Sequence, residues 1–202
     1  MSDLIIKPSG TNANFKVQNP SGTDKIVMNS SGTITTGTLG SGVVFPAGGT
    51  GNAISVAVIA DQQPNGTDGG TANNGDWRTR VLNTEISDPD GIVSISSNQF
   101  TLGSGTYLIS WSAPAYNCAR HQSKLYDITG SADLVAGSSA YTASSDYVVT
   151  RSMGSYVHAI TANNTYEIRH RVEVTRADNG FGVTSSFGIV NIYTIVNITK
   201  LK

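Results

Sequence analysis

Four charged residues alternate along one short stretch of this chain: Glu167, Arg169, Arg171 and Glu173, between Tyr166 and Arg176. Paired carboxylates are what glycoside hydrolysis uses. On an extended backbone rising about 3.3 Å per residue, however, Glu167 and Glu173 stand roughly 20 Å apart. Glycosidase pairs lie within about 5–9.5 Å. The expected arrangement is a salt-bridge ladder with Arg169 and Arg171. The three histidines, His121, His158 and His170, show no metal-ligand spacing. Asp61, Asp68, Asp76, Asp88 and Asp90 fall in loop-like stretches without the calcium-loop pattern, so turn aspartates are expected. The chain contains no G-x-S-x-G elbow, Walker loop or H-E-x-x-H motif. Cys118 is the sole cysteine, which excludes an intrachain disulfide, and it reads as a small buried residue rather than a nucleophile. No catalytic, cofactor or metal site is expected, and no enzyme. Trp77, Tyr116, Tyr126, Tyr141, Tyr147 and Tyr156 are of the type that lines sugar-recognition surfaces or fills cores.

The composition points the same way. Only 13% of the 202 residues are Asp, Glu, Lys or Arg, about half the usual share, which disfavours disordered tails and most helical bundles. A net charge of −1 supplies no field for nucleic acid or an anionic membrane. No apolar run reaches the roughly 18 residues of a membrane span, so membrane insertion is not expected. MSDLIIKPSG lacks a basic-then-apolar signal, so no secretory route is expected, and the sequons at Asn29, Asn65, Asn163 and Asn197 are attributed to an amide- and hydroxyl-rich composition.

What must position these residues is β structure. Residues 1–52 form one predicted unit, an N-terminal β-rich arm or stem. Pro8-Ser9-Gly10-Thr11, Pro20-Ser21-Gly22-Thr23 and Ser30-Ser31-Gly32-Thr33 repeat a turn signature. Between them lie Leu4, Ile5 and Ile6, then Phe15 and Val17, then Ile26 and Val27, which read as short strands. Such strands bury too little to stand alone and need a body to lie on or copies of themselves to wrap around. A Gly-rich linker, residues 37–52, closes this unit. Residues 53–202 form the second. Ile54, Val56 and Val58 alternate with Ser55 and Ala57, as in a strand with one face buried, Trp77–Asn83 is a strand candidate, and Tyr107, Ile109 and Trp111 share a face. Tyr166, Ile168, His170, Val172 and Val174 point inward along the clearest strand, and Phe187–Leu201 is apolar on both faces, as in a central strand or one covered by a partner. No window carries a clean helical stripe. An all-β jelly-roll sandwich is predicted.

From residue 53 onward the order of features resembles the jelly-roll heads of the complement C1q and tumour necrosis factor families. The shared features are Ala53–Val58, Val81-Leu82-Asn83, Phe100-Thr101 and Gly105-Thr106-Tyr107. The family's Gly-Asp turn is replaced here by Asn163-Asn164. Thr165–Arg171 and Ile195–Leu201 are more specifically similar to heads in structural proteins of tailed bacteriophages. That resemblance implies a virion protein and a homotrimer, with one sheet of each head around a threefold axis. Ile189, Tyr193, Ile195 and Leu201 are the interface candidates. His170, at an inward phase, is expected in the core or on the axis. Leu4, Ile5, Ile6, Phe15, Val17, Ile26 and Val27 are the candidates for anchoring to the major capsid protein or another virion protein. Two functions follow: capsid decoration, in which the arm attaches and the head clamps neighbouring subunits, or a short tail fibre whose head loops bind host surface glycan. Length favours decoration, because 45 residues of short strands leave little room for a shaft.

Overall fold

The computed structural model describes residues 15–18, 20–21, 24–28, 34–36 and 54–201 except 144 and 146. The chain divides into two compact units, Met1–Gly51 and Asn52–Lys202. In the first, β1 (Phe15–Gln18), β2 (Asp24–Met28) and β3 (Ile34–Thr36) form an antiparallel meander. Phe15 pairs with Met28 and Val17 with Ile26, and the register shifts after Val17. Leu4, Ile5, Ile6 and the Gly-rich linker lie outside the described residues.

The second unit is a jelly-roll sandwich of two antiparallel sheets. One sheet has the order β13 (Val149–Ile160), β9 (Gly105–Tyr116), β15 (Asn191–Lys200), β4 (Ser55–Gln63), β6 (Thr84–Ser87). The other runs β11 (Ala132–Ala136), β10 (Ala119–Asp127), β14 (Asn164–Val172), β8 (Gln99–Leu102), β7 (Val93–Ser96). Two short strands join it: β12 (Ala140–Thr142) beside β10, and β5 (Arg78–Thr79) beside β14. From β9 onward the long strands β9, β10, β13, β14 and β15 alternate between the sheets. The last strand, β15, lies at the centre of its sheet, with Val196 and Ile198 on the core face and Ile195 on the outer one.

Alternation builds the core. Tyr107, Ile109, Trp111 and Ala113 of β9 meet Leu125, Tyr166 and Ile168 of the facing sheet, with Phe100 and Leu102 beside them, all buried. Each such side chain contributes about 1.5–3 kcal/mol on leaving water. A second cluster, Ala72, Ala115, Cys118, Val172 and Phe181, fills one end.

Three expectations change in detail. The alternation in β4 is inverted: Ile54 and Val56 are exposed and Val58 half-buried, while Ala57 and Ile59 face the core. Trp77–Asn83 is not one strand. Arg78 and Thr79 pair with β14, whereas Thr84 onward pairs with β4 of the opposite sheet. The chain crosses the sandwich between them, burying Arg80 and Leu82 on the way. The strand expected over Tyr166–Arg176 ends at Val172, and Val174 is exposed. Glu167 keeps its outward phase but is covered, because Thr79 Oγ1 and Gln99 Nε2 donate to its carboxylate at 3.0 and 3.4 Å.

Candidate functional site

The outer face of the five-stranded sheet is set by strand register. Three cross-strand rows can be followed: Met153, Ser112 and Ile195; then Ser155, Ser110, Asn197 and Val58; then Val157, Leu108, Thr199 and Val56. None of these side chains is ionisable. Met153 and Val157 are each 57% exposed and Val56 46%, while Leu108, Val58 and Ile195 are half-buried. Ser110 and Ser155 share a hydrogen bond of 2.9 Å between their hydroxyls, which lowers the cost of drying both. At the margin, Arg151 is drawn back onto its own chain, donating to Ser112 Oγ at 3.2 Å and Tyr193 O at 3.0 Å. Partial burial lowers its pKa. A broad apolar and hydroxyl-bearing face without charge has the composition of a protein interface core rather than of a wetted sheet.

The five interface candidates fall in different places. Ile195 points outward into the first row, and Leu201, partly exposed, lies just past the other end of β15, its amide donating to Thr106 O at 2.7 Å. Ile189 is exposed but lies in the loop before β15. Tyr193 is buried by its own chain. Its hydroxyl donates to Thr67 O at 2.7 Å, and its ring lies so close to Gly182 that a Cβ there would stand 2.1 Å from it. His170 belongs to the core alternative. It is fully enclosed within one chain, on the inner face of the other sheet, so no surface of it is left for an axis. Of the anchor candidates, Phe15 and Val17 lie in β1 and Ile26 and Val27 in β2.

Sequence reasoning missed the polar structure that closes one end of the sandwich. Arg80 is buried, and its guanidinium donates to Thr194 Oγ1 (2.8 Å), Pro114 O (3.0 Å) and Phe181 O (3.0 Å) while stacking 3.9 Å from the Phe181 ring centre. Burial pulls its pKa down to about 9, against the opposing charge of Asp61. Nearby, His121 Nδ1 and His170 Nε2 share a hydrogen bond of 2.9 Å, and His121 Nε2 meets Thr150 Oγ1 at 2.7 Å. Burial, then the Arg80 charge, pulls His121 down to about 4 and His170 well below the ordinary histidine range. Both are neutral at pH 7. Cys118 is buried and its thiol is pushed up to about 11 by burial, so no thiolate is available at neutral pH.

The ladder of residues 167–173 is split. Glu167 pairs with Arg169, and Glu173 pairs across the sheet with Arg120 at 2.7 Å. Arg171 makes no ion pair or side-chain hydrogen bond among the described residues. Asp88 behaves as a turn aspartate, accepting from the amides of Ile92 and Val93, and Asp68 accepts from that of Thr184 across the fold. Asp61 is no turn residue: it is buried in β4, where Gln63 Nε2 donates to its carboxylate at 2.7 Å. Among the described residues, no three His, Cys, Asp or Glu side chains converge as metal ligands.

No family model matches this sequence, and no curated protein is significantly similar to it. Solved structures are similar in fold. The globular domain of zebrafish complement 1qA protein is 14% identical, with a TM-score of 0.48, over 74% of this chain and 98% of that one. Murine APRIL at pH 8.0 is 8% identical, with a TM-score of 0.49, over 74% of this chain and 100% of that one. Eiger TNF from S. frugiperda is 10% identical, with a TM-score of 0.49, over 74% and 93%.

Proposed function

We propose that this chain is a homotrimeric, non-enzymatic structural protein of a phage virion. In this reading the N-terminal unit attaches to the capsid and the jelly-roll head clamps neighbouring subunits as a decoration protein. The observation that carries the assembly is the uncharged patch that β13, β9, β15 and β4 form on the outer face of the five-stranded sheet, with Arg151 at its margin. Left in water it would expose Met153, Val157 and Val56 beside half-buried Leu108 and Ile195. Closing three such faces around an axis buries them without stranding a charge. The virion role is supported by the resemblance of Thr165–Arg171 and Ile195–Leu201 to phage structural heads. The division of the chain at Gly51 supplies separate parts for attachment and for clamping. Three arms on one trimer give an avidity that a single arm lacks.

Deleting residues 1–45 tests the division of labour. The reading predicts a folded trimeric head that no longer attaches to particles, and a truncated head that still attaches would place the anchor in the head. Copy number per virion, by quantitative mass spectrometry against the major capsid protein, separates decoration from a tail fibre. Trimers covering a shell give hundreds of chains, a fibre roughly tens, and absence from particles overturns both.

A further inference from the structure

The face of the seven-stranded sheet turned away from the core carries a groove of about 700 Å³. Its floor is the paired backbone of His121 and Val172, where β10 runs between β12 and β14. Trp77 stands on one side, Ser139 and Ala140 bound it, Arg120 and Arg171 reach it from β10 and β14, and Glu173 from just past the end of β14. Three features make this a built site rather than a surface dip.

First, its charge is unbalanced. Arg120 and Glu173 neutralise one another at 2.7 Å, which leaves the exposed Arg171 guanidinium with no partner among the described residues. A free planar fork of donors suits one carboxylate. Second, the aromatic ring is fixed. The Lys124 ammonium sits 4.1 Å from the Trp77 ring centre and is itself held by Asp133 at 2.6 Å. Trp77 precedes Arg78, whose partner is His170, so the register carries the indole to the level of Arg171. Third, two side-chain amides are tied at one end and open at the other. Gln122 Nε2 donates to Gly137 O at 2.8 Å, leaving its oxygen as an acceptor. Asn74 Oδ1 accepts from Thr175 Oγ1 at 3.0 Å, leaving its NH₂ as a donor. The loop bearing Asn74 is itself fastened by the reciprocal backbone hydrogen bonds of Ala72 and Arg176, both 2.9 Å.

We propose that this groove binds a carboxylated saccharide, with Arg171 taking the carboxylate, the Trp77 ring packing against a sugar ring, and the Asn74 and Gln122 amides meeting its hydroxyls. An extended peptide is the poorer occupant. At the floor, β10 is paired on both sides and offers no free edge for strand addition. The groove lies on the sheet opposite the one proposed for assembly, so it stands or falls independently of the virion reading.

The test is titration of the full-length protein with tri-galacturonate, neutral galactotriose and tri-glutamate, following the Trp77 indole N–H resonance by NMR. A Trp77→Phe variant assigns that signal. Tri-galacturonate is expected to shift it saturably, and galactotriose to bind at least about tenfold more weakly, the size of one charge-assisted hydrogen-bond pair. Arg171→Gln is expected to remove that preference while leaving the melting temperature unchanged, because the side chain is exposed and unpaired. No shift with either sugar, equal binding of the two sugars, an Arg171→Gln protein that keeps its preference, or tri-glutamate binding as tightly as tri-galacturonate would each overturn the proposal.

Discussion

Replacing Arg80 by Met removes the group that ties three separate pieces of chain together at one end of the sandwich. The guanidinium serves Pro114 O on β9, Thr194 Oγ1 on β15 and Phe181 O in the loop before it. Met has similar length and recovers part of the packing against Phe181, worth about 1.5–3 kcal/mol of apolar burial. Against this, two carbonyls and a hydroxyl lose their donor in a place water does not reach, at about 1–3 kcal/mol for each group left unmet. Asp61, already raised in pKa by burial, also loses the Arg80 charge that opposes that rise. The net expectation is a loss of about 2–4 kcal/mol, in line with removing one partner from a buried charged network. For a chain of this size that lowers Tm by roughly 5–15 °C. Calorimetry of the full-length protein at pH 7 and fixed concentration reads it. Arg80→Lys should recover little, because one ammonium cannot span acceptors on three elements. A Met variant as stable as the parent would refute the reasoning, showing the buried cation to be replaceable by apolar packing alone.

Gly154 lies opposite Trp111 in the β13–β9 pair, and a Cβ there would stand 2.1 Å from the indole. Gly154→Ala therefore pushes the ring off its 2.8 Å hydrogen bond to Ser123 Oγ, at a cost of about 2–4 kcal/mol by chemical denaturation; an unchanged midpoint would contradict this packing. The buried pair His121 and His170 takes up protons more readily when unfolded, since both folded pKa values lie below 6.5. Stability is then full above about pH 6.5 and falls as pH drops toward 4, by about 2–3 kcal/mol between pH 7.5 and 5.5 for the two together. Asp61, raised from 3.8, acts in the opposite sense only from that value upward and offsets part of the loss at the acid end. Urea midpoints that stay level across that range would mean the histidines are not buried neutral.

How far the sequence disclosed this molecule depends on which face of each strand its pattern marks. β9 and β14 were legible because their apolar residues point to the core, whereas β4 was legible as a strand with its faces exchanged, since Val56 and Val58 belong to the outer surface and Ala57 and Ile59 to the core. β13 was not. It turns Met153 and Val157 outward and Ser152 inward, the reverse of a one-sided strand, because its outer face belongs to the uncharged surface. β7 and β8 are joined by Ser97 and Asn98, both at positive φ (52° and 64°), a two-residue turn without the glycine that usually announces it. Tyr193 shares parity with Ile195, yet a register shift between Ile192 and Ile195 breaks the phase and leaves the tyrosine inside. Arg80 carried no signal at all, since a lone arginine in a strand candidate ordinarily marks the solvent side. In the charged run at 167–173 the residue types were legible but the partners were not. Arg120, 53 positions away, takes Glu173 and frees Arg171.

The most direct test of the assembly is the native mass of the purified protein at micromolar concentration, by light scattering or native mass spectrometry, alongside a Val157→Glu variant. The account predicts about 63 kDa, three times the 21.1 kDa chain, with the variant falling to 21.1 kDa while remaining folded. A parent protein that runs at 21.1 kDa, or a variant that stays trimeric with a charge on this face, would contradict it.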